Sequence, residues 1–168
     1  MYHFLKFFIY CFNRLPLSWR IHFLTSILRF LRFVSKDFKE TPLVNLKIAF
    51  PDLSADQHQK ILEDSYLVWG RCLVDVLRQA ELSDQWFLDN IDCPDLDRLK
   101  EFKAANPDRP FLMLTGHFGS FEFILRYLAI NFGPMAFVAR ALQPASLDRW
   151  WNEQRKSTGN ILIPRKGD

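Results

Sequence analysis

The sequence predicts an α/β protein, in which a helical, membrane-associated N-terminus precedes a partly parallel sheet with flanking helices. Residues 111–114 are all apolar and lie between Pro110 and Gly116, which is typical of a strand covered on both faces. Helical spacing follows over 119–131, and a second short apolar run covers 135–139. Strand, helix and strand in this order predict a right-handed parallel crossover.

The first 36 residues are predicted to form membrane-interfacial or anchoring helices, and residues 37–168 to form the N-terminal part of the α/β domain. Pro16 divides this N-terminus into two helices, each with an apolar stripe. Residues 1–40 carry seven basic and two acidic side chains, a net charge of +5, whereas the remaining chain carries −2. Basic aromatic helices are typical of an anionic membrane surface, and Arg29 and Arg32 are expected to face it. The alternative is a pair of ordinary amphipathic core helices.

The middle of the chain is predicted to be helical after a connector. Residues 41–54 are predicted to form that connector, because Pro42 and Pro51 interrupt any helix. Ser54 and Gln57 have the spacing of a capping box, from which a helix is expected to run to Leu77. Further helices are expected over 96–105 and 146–156, and a last strand over 161–163.

The candidate site lies where the first strand is predicted to end. His117 is expected on the turn and Glu122 in the early turns of the next helix, where the two side chains can converge. A carboxylate bonded to one imidazole nitrogen fixes the tautomer, and the other nitrogen can then take a proton from an alcohol that attacks a carbonyl. Gly116 and Gly119 let the backbone approach a ligand. The alternative for His117 is a polar residue that is merely satisfied at a strand end.

A second cation is expected at the same edge. Arg140 follows the second predicted strand, and ligands of parallel sheets bind at the carboxyl ends of the strands. His117 and Arg140 are therefore predicted to open on one edge. Ser120 is not expected to be a nucleophile, because its neighbours do not form Gly-x-Ser-x-Gly.

Three motifs in order resemble the lipid A biosynthesis acyltransferases, a family of lauroyl and myristoyl transferases. Gly-His-Phe-Gly-Ser-Phe-Glu at 116–122 is similar to the family's His-x4-Glu motif, and Asn-Leu-Lys-Ile-Ala-Phe-Pro at 45–51 to its Asn-Leu-x-x-Ala-Phe-Pro segment. Arg140, and Arg155 with Gly159, resemble its downstream arginines. Glycerolipid acyltransferases more widely carry Asp where this chain has Glu122, so the resemblance favours the lipid A branch.

The resemblance implies a glycerolipid-acyltransferase-like fold and transfer of a fatty acyl chain from an acyl carrier protein thioester to a hydroxyl of a lipid A precursor. It implies His117 as general base, Glu122 as its orienting partner, and Arg140 and Arg155 as contacts to acceptor phosphate or the oxyanion. Gly116 and Gly119 would shape the loop. The reaction would take place at the cytoplasmic face of the inner membrane. Family members are nearly twice as long, so the C-terminal part of the domain is expected to be missing.

Composition predicts no metal, no cofactor and no nucleic-acid partner. Three cysteines and four histidines are scattered without ligand spacing, and a net charge of +3 is mild. Two rival functions stay open at this stage. One is a lysophospholipid or other glycolipid acyltransferase, and the other is an inactive, truncated, membrane-associated remnant.

Overall fold

A computed structural model describes residues 1–165, and this part of the chain is mostly helical, with eight α-helices and two short strands. It divides into two compact units: a helical unit, Phe7–Arg78, and a motif unit, which comprises Met1–Lys6 and the residues from Gln79 onward. The elements in chain order are α1 Tyr2–Asn13, α2 Leu17–Val34, α3 Lys36–Ala49, α4 Ala55–Arg78, α5 Asp84–Asn90, α6 Leu96–Ala105, α7 Phe121–Phe132, β1 Ala136–Ala139, α8 Ala145–Lys156 and β2 Ile161–Pro164.

The helical unit is organised by close packing of α2 on α4. Thr25 of α2 is buried beside Gly70 of α4, where an added Cβ would lie 2.2 Å from the Thr25 hydroxyl oxygen. The missing side chain therefore lets the two helices approach. Arg29 and Arg32 donate to the Glu63 carboxylate on α4, and their expected orientation towards a membrane stays a prediction. Two of the predicted surface cations thus join helices to each other.

Helix α3 corrects the prediction of a connector over 41–54, because Lys36–Ala49 is helical with Pro42 inside it. A proline has no N–H, so the carbonyl four residues earlier, that of Phe38, loses its helical donor. The Tyr66 hydroxyl of α4 donates to that carbonyl at 2.7 Å. The hydroxyl that satisfies this carbonyl lies 28 residues away in the chain, so rules based on neighbouring residues could not predict the bond.

Helix α4 confirms the predicted capping box. The Gln57 N–H donates to the Ser54 hydroxyl oxygen at 3.3 Å, and the Ser54 N–H donates to the Gln57 side-chain oxygen at 2.8 Å. These reciprocal bonds satisfy two backbone groups at the helix start. The helix ends at Arg78, one residue beyond the prediction.

The motif unit is built on α7, which packs against α5. Phe123 and Tyr127 of α7 form a buried aromatic cluster with Phe87 of α5. Arg126 of α7 donates to the Asp84 carboxylate and to the carbonyl oxygens of residues 79 and 82, and its guanidinium lies 4.7 Å from the Phe87 ring centroid. Packing and hydrogen bonds therefore fix the helix that carries Glu122.

The sheet in the described residues consists of β1 and β2, which pair in parallel from Ala136↔Ile161 to Ala139↔Pro164, with α8 between them in the chain. The strands predicted over 135–139 and 161–163 are thereby confirmed, but the parallel crossover runs from β1 through α8 to β2 and not, as predicted, from residues 111–115 through the helix over 119–131 to residues 135–139. The strand predicted over 111–115 is wrong: that segment is irregular, and Leu112 and Leu114 are 86% and 90% exposed. A strand needs a paired neighbour, and no recorded backbone hydrogen bond between residues 1 and 165 reaches this segment. The α/β prediction therefore holds only in part.

No helix between residues 1 and 165 combines the length and apolarity needed to cross a bilayer. Three expectations therefore stay predictions: the division at residue 36, the placement of the N-terminus at a membrane and its function as an anchor.

Candidate active site

His117 lies on the irregular segment that leads into α7. Its side chain is exposed, and its ring centroid lies 4.5 Å from that of Phe121, the first residue of α7. Gly119 between them has φ of +55°, in the left-handed region where glycine is favoured. At Gly116 an added Cβ would lie 2.4 Å from the Phe118 ring. The two glycines therefore shape this loop, while the predicted approach of a ligand to them stays a prediction.

Glu122 lies in the first turn of α7, and its side chain is buried, whereas that of His117 is exposed. It is 2% exposed, at the helix end where backbone N–H groups favour negative charge. Arg155, in the last turn of α8, donates from Nε to Oε2 at 3.0 Å and from Nη2 to Oε1. This is a bidentate, charge-assisted pair, the strongest common hydrogen-bonding geometry for a carboxylate.

Aromatic rings and an amide hold Arg155 in place. Its guanidinium carbon lies 5.3 Å from the Phe137 ring centroid and 5.7 Å from that of Trp151, and Nη1 is 3.5 Å from the Asn152 side-chain oxygen. Phe137 belongs to β1, so the sheet and α8 jointly position the cation. Sequence spacing could not find this pair, because 33 residues separate its members. The signal that pointed to Arg155 was the family motif, which suggested a substrate contact.

The described residues include no hydrogen bond between His117 and Glu122, so the expected dyad is not assembled in this structure. The carboxylate still has acceptor capacity, since two oxygens offer about four acceptor positions and Arg155 supplies two donors. The catalytic roles of His117 and Glu122 therefore stay predictions. Arg140 follows β1 directly and is exposed, and its role in binding substrate stays a prediction too.

A second, exposed cluster lies on the same helix as Arg155. Glu153 accepts a hydrogen bond from the Tyr2 hydroxyl and another from Arg149 at 3.1 Å, and Lys6 lies 3.9 Å away. The Tyr2 hydrogen bond lowers the pKa of Glu153 below its ordinary value, helped by Arg149 and Lys6. The same bond raises the pKa of Tyr2. Among residues 1–165, no group of three or more His, Cys, Asp or Glu side chains is arranged to hold a metal ion.

Comparison with known proteins assigns the chain to a family. Residues 2–168 match the family described as bacterial lipid A biosynthesis acyltransferase. The chain belongs to this family. The resemblance drawn from the three motifs is therefore confirmed, and the family is one of acyl-transferring enzymes.

A more distant relative is the phosphatidylinositol mannoside acyltransferase of Mycolicibacterium smegmatis. It is 26% identical over 113 residues, which cover 67% of this chain. The matched region amounts to 36% of the relative's length.

Proposed function

We propose that the protein transfers a fatty acyl chain from an acyl carrier protein thioester to a hydroxyl group of a lipid A precursor. Family membership supports acyl transfer and a lipid acceptor. The observation that carries the proposal is the placement of a buried, charge-paired Glu122 five residues after an exposed His117. Esterification of an alcohol by a thioester needs a base at the hydroxyl and a fixed charge to orient it.

His117 acts as the base. Its neutral imidazole takes the proton of the acceptor hydroxyl while the oxygen attacks the thioester carbonyl carbon. The tetrahedral intermediate collapses, the carbon–sulfur bond breaks, and the leaving thiolate takes the proton back from the imidazolium. The products are an ester and a free thiol, and the imidazole is neutral again, so no other reactant is required.

Glu122 acts as the orienting group, and Arg155 balances its charge. A carboxylate that is buried away from water needs a cation or hydrogen-bond donors to offset the lost hydration. With Arg155 bound to it, the carboxylate can accept from the imidazole once the exposed ring turns towards it in the substrate complex. Arg155 therefore serves Glu122 in this proposal, and it no longer serves as a phosphate contact.

Arg140 remains the cation assigned to substrate. It is exposed directly after β1, where a parallel strand ends. A guanidinium there suits the phosphate of a lipid A precursor or the developing oxyanion. The reaction is proposed to occur at the cytoplasmic face of the inner membrane, where a soluble carrier protein can meet a membrane lipid.

A second candidate differs in the acceptor alone. The Mycolicibacterium relative is named for a mannosylated phosphoinositide, which favours a glycolipid acceptor other than lipid A. A lysophospholipid acceptor is the third choice. All three acceptors share a hydroxyl close to a phosphate, so the residues described above would serve each of them.

The test is an acceptor competition. The purified chain is incubated with acyl-acyl carrier protein and equal amounts of a lipid A precursor, a mannosylated phosphoinositide and lysophosphatidate, and products are detected by mass spectrometry. The proposal predicts the lipid A precursor to gain one acyl chain fastest. Preferred acylation of either competitor would overturn the assigned acceptor, and a chain that is folded by circular dichroism but acylates none would favour the inactive remnant.

A further inference from the structure

A groove between α1 and α2, within the helical unit, has no assigned function. It encloses about 810 Å³. Aromatic and aliphatic side chains supply most of its wall, among them Phe8, Phe12, Leu15, Trp19 and Phe23. The volume lies within the roughly 300–1,000 Å³ usual for ligand sites, and the apolar wall suits a hydrocarbon chain.

The groove opens onto an apolar stripe along α2. Trp19 and Phe23 belong both to the groove wall and to the stripe, which continues through Phe30 and Phe33. Trp19, Phe30 and Phe33 are 67%, 63% and 75% exposed. Thr25, buried against Gly70, marks the opposite face of α2, so the stripe points away from α4. Over 15 residues such a stripe is about 22 Å long.

The arginines of α2 and of the loop before it do not have equivalent partners. Arg20 donates to Asn13, and Arg29 and Arg32 to Glu63, so protein groups already hold these three. Arg14 is exposed beside Leu15, its guanidinium carbon lies 4.6 Å from the Tyr10 ring centroid, and within residues 1–165 it makes no recorded ion pair. An exposed cation over an aromatic ring, next in the chain to the groove residue Leu15, is complementary to a lipid that carries an anionic headgroup.

We infer that the groove binds one acyl chain of an anionic bilayer phospholipid, with the α2 stripe lying in the interface and Arg14 contacting the headgroup. A second copy of the chain fits less well, because it would bring together two N-terminal segments of net charge +5. The inference does not depend on acyl transfer, since it uses no residue of the motif unit's candidate site.

The first test measures chain-length dependence. Soluble lysophosphatidylglycerols of increasing acyl length, each below its micelle concentration, are titrated into the protein by calorimetry. Each added methylene should tighten binding about fourfold until the groove is full. Ser18→Phe, which places a ring in the groove, should abolish this dependence, and Cys11→Phe is a second filling variant in case the first fails to fold. Affinity that does not change with length, or with either filled groove, would overturn the assignment.

The second test separates headgroup from chain. Binding to vesicles of phosphatidylcholine, with and without phosphatidylglycerol, is followed by co-sedimentation, and brominated acyl chains report the depth of Trp19 by fluorescence quenching. Arg14→Gln should weaken binding to the anionic vesicles about fivefold. Arg71→Gln, which alters an exposed arginine of α4, is the matched control and should have little effect.

The proposed position of the α2 stripe in the interface predicts the depth at which Trp19 is quenched. Wild-type fluorescence should fall with bromines placed near the headgroup end of the chain, and Trp19→Phe should remove most of that fall. Quenching that Trp19→Phe leaves unchanged would overturn the placement of α2. A concentration-dependent dimer in analytical ultracentrifugation that Phe23→Ser dissociates and lipid does not would assign the face to a second copy instead.

Discussion

The two ends of the His-x4-Glu motif lie in contrasting environments. Glu122 is buried at the start of α7 and bound through both oxygens to Arg155, whereas His117 is exposed on an irregular segment and contacts Phe121. A buried carboxylate needs a cation, and the chain supplies one from α8. The base proposed here must reach a substrate hydroxyl, so its side chain needs exposure instead. The comparison teaches that one short motif can contain both a buried carboxylate with a fixed partner and an exposed imidazole.

The stability of the fold should depend strongly on the ion pair between Glu122 and Arg155. Arg155→Ala leaves Glu122 in the interior without a cation, so the free energy of unfolding should fall by about 3–5 kcal/mol, measured by urea denaturation. Arg149→Ala is the matched control, because Arg149 lies on the same helix and pairs with Glu153 at the surface. Arg149→Ala should lower the free energy of unfolding by less than about 1 kcal/mol.

A double variant sharpens that prediction. Adding Glu122→Gln to Arg155→Ala removes the stranded charge, so part of the lost stability should return. If Arg155→Ala and Arg149→Ala cost the same, or if the double variant is the least stable of all, the ion pair does not hold α7 and α8 as described.

The loop between the two ends should show an intermediate effect. Gly119→Ala forces a Cβ into left-handed backbone, which should cost about 1–2 kcal/mol. No atom lies within 4 Å of the added Cβ, so the cost comes from the backbone alone. Gly119→Asn should therefore cost less than Gly119→Ala, because asparagine tolerates this conformation. If thermal denaturation shows that Gly119→Ala and Gly119→Asn lose equal stability, the left-handed backbone is not the cause of the loss.

The exposed cluster on α8 should show the smallest effect, and one that depends on pH. The pKa of Glu153 is lowered in the folded state, so its contribution is present above its ordinary value of 4.5 and is lost as pH falls through the lowered value. The stability difference between wild type and Tyr2→Phe should therefore shrink in acid. It should also shrink when pH rises above 10.0 and through the raised pKa of Tyr2. A difference that grows at either extreme would contradict the assigned hydrogen bond.

Local signals in the sequence predicted many of the elements. The capping box at Ser54 fixed the start of α4, and Leu96–Ala105 is the helix that apolar spacing predicted. Both depend on residues within a turn or two of each other. The same is true of β1 and β2, whose short apolar runs were found to within a residue.

Where the sequence misled, the deciding partner was distant in the chain. A helix forms through Pro42 because Tyr66 satisfies the carbonyl that the proline leaves bare. Residues 111–115 do not form a strand in the described part of the chain, since apolarity alone provides no pairing neighbour. The ion pair between Glu122 and Arg155 was not predicted, because 33 residues separate its members, although both residues had been selected as site candidates.

The measurement that tests the account most directly is the acyl-transfer rate of His117→Ala beside its free energy of unfolding. Because His117 is exposed, stability should change by no more than about 0.5 kcal/mol. The transfer rate should fall by a factor of about 10²–10⁴, the usual contribution of a general base. His3→Ala, which alters another exposed histidine of the motif unit, is the control and should keep its rate. A stably folded His117→Ala protein that transfers acyl chains at the wild-type rate would contradict the proposed role of this imidazole.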